Sequence, residues 1–294
     1  MGDLPQTDVP TADIGIIGGT GLYGMEGLED VRDVELETPY GAPSSPIRCG
    51  RIEGRRVAFL ARHGSHHQHL PTEVPYAANV YALKMLGVSK VLATGAVGSL
   101  AEELPPKTLV VPDQAYDRTR HRRDTFFGDG LVVHVSLAEP FAEGIRRVLL
   151  EAAASIGQDA TDGGTYVCME GPQFSTRAES LTYKARGFSV IGMTAYTEAR
   201  LCREAEIAYA NLNLVTDYDA WRPHEAGVGI EEILEVLKHN SHVARDVLRA
   251  AVPLVPSEPL PENGVLATAM ITPLEKVPQA TRDRLEAILR PYLP

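Results

Sequence analysis

The feature that most constrains the fold is an alternation of short apolar runs with longer helical segments along most of the chain. Buried strands are expected at Asp13 to Gly18, Lys90 to Thr94, Thr165 to Met169, Ser189 to Met193 and Ile207 to Val215, with a hairpin from Ile47 to Ile52 and Arg56 to Ala61. Helices are expected at Tyr76 to Leu86, Glu139 to Ile156, Ser175 to Ala185, Thr197 to Ala205 and Ile230 to Val252. Strands that alternate with helices predict an α/β fold with a mostly parallel central sheet.

The domain organisation follows the same pattern. Residues 13–254 read as one unit, preceded by an N-terminal extension over residues 1–12. From Pro253 to Pro261 the composition turns to Pro, Ser and Glu, which predicts a linker. Residues 255–294 then form a C-terminal extension, with one short helix expected from Pro278 to Leu293.

The charge balance limits the possible partners. The 28 Lys and Arg residues against 39 Asp and Glu residues give a formal charge of -11. That charge repels phosphate backbones, so nucleic acid is not expected as a partner, although a few local donors can still hold a small anion. Cys49, Cys168 and Cys202 are widely spaced and form no CxxC pair, as in a reducing cytoplasm.

No membrane or export segment is expected either. The first residues, MGDLPQTDVPTAD, lack the basic and apolar regions of a signal peptide. No apolar run approaches the roughly 18 residues that span a bilayer. We therefore expect a soluble, cytoplasmic protein with no membrane partner.

A glycine cluster follows the first expected strand, at Gly18-Gly19-Thr20-Gly21 and Gly24. It contains a formal GxGxxG, the fingerprint of a dinucleotide site when it opens a helix. The residues after it, MEGLEDVRDVELETPY, have no apolar stripe for a packed helix. A strand-to-loop anion nest, with backbone N–H groups and the Thr20 hydroxyl facing a phosphate, is the alternative, and a bare tight turn is the other.

A second candidate, Arg62-His63-Gly64, directly follows the strand VAFLA. Strand ends are where α/β sheets place ligand groups, and an arginine fork matches phosphate oxygens. The nearby His66, His67 and His69 also allow a metal site, but no acidic or Cys/His cluster completes one in sequence. Phosphate donors are therefore favoured over metal ligands, and the other histidines are expected in a solvated loop.

Two further segments lie where a strand gives way to a loop. In Met169 to Ser175 (MEGPQFS), Ser175 is expected to cap the next helix, and Phe174 fits either the core or a ligand-stacking face. In TDYDAW, Asp217 and Asp219 follow an apolar strand, where packing does not explain two carboxylates. They either cap the next segment or supply an acid whose pKa is raised by burial and a neighbouring charge.

Taken in order, GIIGGTGL, ARHG, MEGPQFSTRAES, IGMT and TDYDAW resemble the methylthioadenosine phosphorylase branch of the trimeric purine nucleoside phosphorylases, from about Asp13 to about Leu254. The resemblance implies a single α/β domain with a central mixed, partly barrel-like sheet flanked by helices. It also implies a homotrimer or a dimer of trimers that shares its active sites.

The resemblance also assigns roles to residues. It implies phosphate binding by Gly19, Thr20, Arg62, His63, Gly95 and Thr194. It implies contacts with the nucleoside by Phe174, Ser175, Met193, Ile230, Ile233 and Leu234, with His134 reaching the site of the neighbouring subunit. Asp217 and Asp219 would address the purine and carry the catalysis.

The implied reaction is phosphorolysis of 5'-methylthioadenosine, with inorganic phosphate as co-substrate and neither cofactor nor metal. Oxopurine enzymes of the family resemble this site with an Asn in place of Asp217 and a Glu in place of Ser175, so both residues favour adenine. Val228, Ile230, Ile233 and Leu234 match an apolar wall that suits a methylthio group. Because such a wall rejects a hydroxyl only about 10²-fold, adenosine and 5'-deoxyadenosine remain possible substrates.

The sequence departs from the family pattern at two positions near the expected phosphate. Thr197 stands where the pattern usually has a proline before the glutamate, here Glu198. Gly95 stands where the human-like branch has a phosphate-contacting threonine, so only its backbone N–H can donate. Three alternative functions remain open: a phosphorylase for inosine or 5'-methylthioinosine, a nucleotide-dependent dehydrogenase, and a nucleoside-binding protein without catalysis.

Overall fold

The computed structural model describes residues 10–19, 22, 27–222 and 230–293, and for residues 230–234 it describes the helical backbone alone. In the described part, eleven strands form a single mixed sheet. They are β1 (Ile14–Gly18), β2 (Glu29–Val34), β3 (Ile47–Ile52), β4 (Arg55–Ala61), β5 (Lys90–Ser99), β6 (Leu109–Val111), β7 (Gln114–Arg118), β8 (Ala160–Asp162), β9 (Thr165–Met169), β10 (Val190–Gly192) and β11 (Ala208–Asp217).

The long strand β5 is the centre of this sheet. The main path runs β2-β3-β4-β1-β5-β10-β9-β7, while β11 also pairs with β5 and continues through β6 to β8. Strands β1 and β11 lie parallel to β5, whereas β10 meets its last residues in an antiparallel pair. Strand β5 therefore joins the two arms of the mixed sheet.

Helices cover both faces of the sheet. They are α1 (Tyr76–Met85), α2 (Glu143–Ser155), α3 (Arg177–Ala185), α4 (Ala195–Glu204), α5 (Ile230–Leu254), α6 (Leu266–Ala269), α7 (Gln279–Arg284) and α8 (Glu286–Leu289). Helices α2 and α5 pack in one apolar cluster with residues such as Ile16, Leu92 and Leu212. Helices α1, α4 and α8 share the other main cluster with Ile17, Val91 and Tyr209. This arrangement confirms the predicted α/β fold with a mixed sheet.

Several predicted boundaries were wrong. Strand β5 continues past Thr94 to Ser99, and the segment after the glycine cluster contains strand β2. Helix α3 is capped by Thr176, not by Ser175: the Thr176 side chain accepts from the Glu179 N–H, and Glu179 reaches back to the Thr176 N–H. That reciprocal pair is a capping box, which satisfies two otherwise unpaired backbone donors.

The C-terminal segment is part of the packed structure. The single helix expected from Pro278 to Leu293 is instead α7, α8 and a final 3-10 turn, Arg290–Tyr292. Ile288 and Leu289 are fully buried in the cluster that contains α1. The Tyr292 hydroxyl donates to Glu206 Oε1 at 2.5 Å, so the end of the chain is bonded to the body of the domain.

Candidate active site

The ends of four neighbouring strands bring the main candidate residues together. Strands β4, β1, β5 and β11 lie side by side and parallel, and their carboxyl ends meet at one edge of the sheet. Arg62 follows β4, Gly19 follows β1, and Asp217 ends β11 beside Gly98 of β5. The fold therefore places residues from distant parts of the sequence at the edge where α/β sheets bind ligands.

Arg62 is held by a buried ion pair with Glu198. The two side chains are 1% and 2% exposed, and Nε and Nη2 of Arg62 donate to the two carboxylate oxygens of Glu198. The Tyr209 hydroxyl also donates to Glu198, at 2.7 Å. Burial opposes the charge of Arg62, but the attraction of Glu198 outweighs it, so the pKa of Arg62 lies above its ordinary value.

This pairing changes the predicted use of the Arg62 fork. Its third donor, Nη1, bonds the Thr94 carbonyl at 2.8 Å, so three of the five guanidinium N–H groups have partners within the protein. The forked pair of donors is therefore used by the Glu198 carboxylate and does not face a phosphate ligand. Among the described residues, one N–H on each of Nη1 and Nη2 has no partner and is available to a ligand, at a site where Glu198 largely balances the charge of Arg62.

Gly19 lies in close contact with these groups. A Cβ at Gly19 would stand 2.6 Å from the Thr94 carbonyl oxygen and 2.8 Å from Arg62 Nη1, so no side chain fits there. The Gly19 N–H points at the Thr94 hydroxyl, at 3.4 Å. The backbone at Gly19 thus lies directly against the guanidinium of Arg62. The predicted ligand Thr20 lies outside the described residues.

His63 is buried and neutral at ordinary pH. Its Nδ1 donates to the His69 carbonyl at 2.9 Å, and its ring stacks on that of His67 with centroids 4.6 Å apart. Burial, and next the charge of Arg62, lower the pKa of His63 to about 4. With Nδ1 as the donor, Nε2 of the neutral ring is an acceptor. His63 therefore offers a ligand an acceptor and not the donor that the sequence predicted.

Met193 and Thr194 stand between β10 and α4. The Thr194 N–H donates to the Tyr166 hydroxyl at 3.2 Å, and Thr194 begins α4 without a hydrogen bond from its side chain to the helix. A Cβ at Gly171 would lie 2.6 Å from Met193 Sδ, so the loop that carries Phe174 packs directly on Met193.

Arg122 connects the loops of the site and was missed by the sequence reasoning. Its side chain is 3% exposed and forms an ion pair with Glu170 at 3.2 Å. It donates to the Met193 carbonyl and to the Tyr76 hydroxyl, the latter at 3.1 Å. It also donates to the Thr197 hydroxyl at 3.0 Å, so the threonine that replaces the family's proline has a defined partner. The signal available was the basic run RTRHRR, which contains Arg122.

The two aspartates have different surroundings. Asp217 is exposed, and its carboxylate accepts from the Thr216 hydroxyl at 2.7 Å and from the Asp219 N–H at 2.9 Å. The Asp219 carboxyl is more buried and faces the hydroxyls of Ser175 and Ser180. Burial raises the pKa of Asp219, and the charge of Asp217 adds to the rise. The sequence predicted an acid whose pKa is raised by burial, and in the structure Asp219 is the aspartate that has these surroundings.

The remaining predicted residues are either exposed at the surface or lie outside the described residues. Phe174 is 80% exposed, which excludes a core role within this chain. His134 is exposed, and its N–H donates to the Ala269 carbonyl at 3.0 Å, which ties its segment to the C-terminal extension. The side chains of Ile230, Ile233 and Leu234 lie outside the described residues.

The described residues contain neither a cluster of metal-ligating side chains nor a helix suited to a membrane. Within the described ranges, no three His, Cys, Asp or Glu side chains come together as metal ligands. In the same part of the chain, no helix combines the length and the apolar character that crossing a bilayer requires.

Comparison with known proteins agrees with this geometry. The family model described as the phosphorylase superfamily matches residues 13–253, so the chain belongs to that superfamily. S-methyl-5'-thioadenosine phosphorylases are among its relatives. The protein from Koribacter versatilis is 49% identical over 96% of this chain and 97% of its own length. That from Thermosynechococcus vestitus is 51% identical over 96% of this chain and 100% of its own length.

Solved structures give the same result. A methylthioadenosine phosphorylase from an antarctic soil metagenomic library superposes with a TM-score of 0.91 at 46% identity, covering 97% of this chain and 99% of its own. The methylthioadenosine phosphorylase of Schistosoma mansoni in complex with tubercidin superposes with a TM-score of 0.83 at 33% identity, covering 90% of this chain and 100% of its own. The resemblance drawn from five short motifs is thereby confirmed over nearly the whole chain.

Proposed function

We propose that this protein cleaves the N-glycosidic bond of 5'-methylthioadenosine with inorganic phosphate, giving adenine and 5-methylthioribose 1-phosphate. One observation carries the proposal: the buried Arg62 beside Gly19, which we take as the phosphate end of the site, and the carboxylate pair Asp217 and Asp219 share one edge of the sheet. Its relatives are S-methyl-5'-thioadenosine phosphorylases at about half identity, and a related structure holds methylthioadenosine. The reaction class is that of a pentosyltransferase.

The phosphate end of the site holds the nucleophile, which is inorganic phosphate. Phosphate bound by the remaining N–H groups of Arg62 and by the loop at Gly19 is placed to approach C1' of the ribose on the face opposite the base. The C1'–N9 bond loosens through an oxocarbenium-like transition state, as in glycoside cleavage. A phosphate oxygen forms the new bond to C1' as the electron pair of the old bond passes to the purine, so the configuration at C1' inverts.

The other end of the site receives the leaving group. The purine accumulates negative charge as the bond breaks, and a carboxyl group at N7 stabilises it by donating a proton or a hydrogen bond. We assign this role to Asp217, at the exposed side of the site, with the more buried Asp219, whose pKa is raised by burial, behind it. Carboxylate oxygens accept from the 6-amino group of adenine but not from a 6-oxo group, which favours adenine.

The site also depends on a second subunit in this proposal. Phe174 and His134 are exposed, so the described part of their own chain does not cover either side chain. We propose a homotrimer, alone or paired as a dimer of trimers, in which His134 enters the neighbouring site.

Subunit mixing tests this sharing. Asp217→Asn and His134→Ala subunits, each weakly active alone, should regain activity when co-refolded, because mixed trimers contain sites with both native residues. No gain on mixing would place His134 outside the neighbouring site.

No cofactor or metal is needed for this reaction, since phosphate is a substrate and the protein's own donors hold it. We further propose a cytoplasmic location, which the buried free thiols of Cys49, Cys168 and Cys202 suit because a reducing compartment preserves them.

The test is release of free base from 5'-methylthioadenosine, adenosine, inosine and 5'-methylthioinosine, with and without phosphate, resolved by chromatography. Phosphate-dependent adenine release that is fastest from methylthioadenosine is the expected result. Faster release of hypoxanthine would overturn the base assignment and keep the reaction. Binding of adenine nucleosides without any release would overturn the reaction and leave a binding protein.

A further inference from the structure

Two asparagines interrupt an otherwise apolar buried strand. Strand β11 reads AYANLNLVTD, and Asn211 and Asn213 are 1% and 0% exposed. A strand buried on both faces is normally a continuous apolar run. A primary amide in such a place lowers stability unless its donors and acceptors are satisfied. The pair therefore needs a reason beyond packing.

The hydrogen bonds of this pair are incomplete. Asn211 Nδ2 donates to Asn213 Oδ1 at 2.6 Å, and Asn213 Nδ2 points at the Val110 carbonyl at 3.4 Å. Asn211 Oδ1 is buried and has no partner among the described residues. An amide nitrogen carries two hydrogens, and within the same residues Asn213 Oδ1 is the one acceptor found for those of Asn211. Among the described residues, Asn211 thus presents an acceptor and a donor N–H without partners, side by side on one amide.

The amide pair lies against the phosphate end of the site. In the parallel register of β11 and β5, Asn213 stands beside Gly95. A Cβ at Gly95 would lie 3.7 Å from Asn211 Nδ2 and 3.8 Å from Asn213 Oδ1, so the amides occupy the direction in which a side chain would point. Gly95 Cα in turn lies 3.2 Å from where a Cβ on Gly19 would stand, next to Arg62.

We propose that Asn211 is a phosphate-positioning residue: its amide, oriented by Asn213, hydrogen-bonds the bound phosphate or one water that links to it, in place of the side chain that Gly95 lacks. Hydrogen phosphate carries both acceptor oxygens and an O–H donor, which matches the paired C=O and N–H of one amide. This inference rests on the proposed phosphorolysis and adds a residue that none of the site motifs contains.

The test is the kinetics of Asn211→Leu and Asn211→Asp. Leucine removes both hydrogen-bonding atoms, and aspartate keeps the shape but adds a charge that repels phosphate. Since a hydrogen bond to a charged group contributes about 1.5–3 kcal/mol, the KM for phosphate should rise about 10- to 100-fold, more for aspartate. The KM for methylthioadenosine should stay within about twofold. A purely structural residue would lower the melting temperature without this selective change.

Asn263 provides the matched control. Its amide donates to the Ser89 and Glu206 carbonyls at 3.0 and 2.7 Å, at the opposite edge of the sheet, where β5 begins. Asn263→Leu should lower stability and leave the KM for phosphate unchanged. An equal rise of that KM in Asn263→Leu and Asn211→Leu would overturn the positioning role.

A rescue variant uses the open position next to the amides. Gly95 lies outside the left-handed backbone region, and a Cβ there makes only ordinary contacts, so Gly95→Ser fits. Its hydroxyl should recover part of the phosphate affinity lost in Asn211→Leu, whereas Gly95→Ala should not.

A crystal structure of the native protein with phosphate gives a readout that needs no variant. The proposal expects an amide atom of Asn211 in hydrogen-bond distance of the phosphate or of one water bound to it. Amide atoms with no such partner, or an unchanged KM for phosphate in both Asn211 variants, would overturn the inference while phosphorolysis by the native enzyme still stands. Absence of phosphorolysis in the native enzyme would instead overturn the proposed function.

Discussion

The two ends of the site are built in opposite ways. At the phosphate end, Arg62 and Glu198 are 1% and 2% exposed and bonded to each other, to Thr94 and to Tyr209. At the nucleoside end, Phe174 is 80% exposed and Asp217 lies at the surface. The first end is buried and its side chains are held by bonds within the protein, whereas the second end is open at the surface.

This difference predicts different outcomes for substitutions at the two ends of the site. Groups in a rigid, buried setting stabilise charge strongly because they need not reorganise during the reaction. Segments at the surface tolerate change without loss of the fold. We therefore expect substitutions at the phosphate end to impair both folding and the reaction, and substitutions at the nucleoside end to change the rate and the substrate preference while the fold is kept.

The largest effect is expected for Arg62→Met. Removal of one partner leaves the Glu198 carboxylate buried without its cation, which costs about 3–5 kcal/mol of unfolding free energy. Loss of the anion donors should also lower kcat/KM by about 10²- to 10³-fold. Chemical denaturation and initial rates measure the two effects.

The double variant Arg62→Met, Glu198→Gln separates them. It removes both charges, so most of the lost stability should return while the activity does not. Recovery of activity together with stability would show that Arg62 serves the fold alone and would remove the contrast between the two ends.

The next effect concerns pH. The pKa of His63 is lowered to about 4 in the folded protein, against an ordinary value of 6.5. Above pH 6.5 His63 is neutral in both the folded and the unfolded state and does not affect the free energy of unfolding. As the pH falls from 6.5 towards 4, the unfolded state binds a proton that the folded state does not, so the free energy of unfolding decreases. The loss amounts to roughly 3 kcal/mol over this range.

His63→Asn should flatten that dependence, because Asn retains a donor for the His69 carbonyl but has no titrating group. Unfolding free energies at pH 7 and pH 4.5 for the native protein and the variant measure the difference. An identical acid dependence in both proteins would contradict the buried, neutral state of His63.

A smaller effect, on activity and substrate choice but not on stability, is expected for Asp217→Asn at the nucleoside end. Because the side chain is exposed, stability should change by less than about 0.5 kcal/mol. Action on methylthioadenosine should fall by about 10²-fold, and the preference should move towards 6-oxopurine nucleosides. Ratios of kcat/KM for methylthioadenosine and 5'-methylthioinosine report this shift, and an unchanged ratio would remove Asp217 from base recognition.

The smallest effect is expected for Phe174→Ala. Loss of an aromatic face against the nucleoside should raise the KM for methylthioadenosine about 10-fold, with the KM for phosphate and the melting temperature unchanged. A fall in melting temperature of the assembled protein would instead place Phe174 in a subunit contact.

The sequence predicted most elements of the fold because apolar strands and glycine-terminated helices carry local signals. It failed where pairing between strands decides: the second half of β5 contains Gly95 and Gly98 and continues as a strand because β11 and β10 pair with it. The cap of α3 was readable, since Thr176 and Glu179 match the capping-box spacing.

The motifs indicated which side chains the fold brings to one edge of the sheet, but not the electrostatics of those side chains. The motifs located Arg62, His63, Asp217 and Asp219, yet no local pattern pairs Arg62 with Glu198, which is 136 positions away. Nor does spacing tell which aspartate is buried. The turn in which Asp219 adopts a φ of 28° places its carboxyl near Ser175 and Ser180, and that turn depends on the surrounding chain.

The most direct test of the account is ³¹P NMR of the native enzyme with 5'-methylthioadenosine and phosphate. Attack by phosphate from the buried end on the ribose held at the open end predicts one new sugar 1-phosphate signal, in the α configuration, equal in amount to the adenine formed. Adenine released with no new phosphorus signal would mean that water, and not phosphate, attacks the ribose, which would contradict the account.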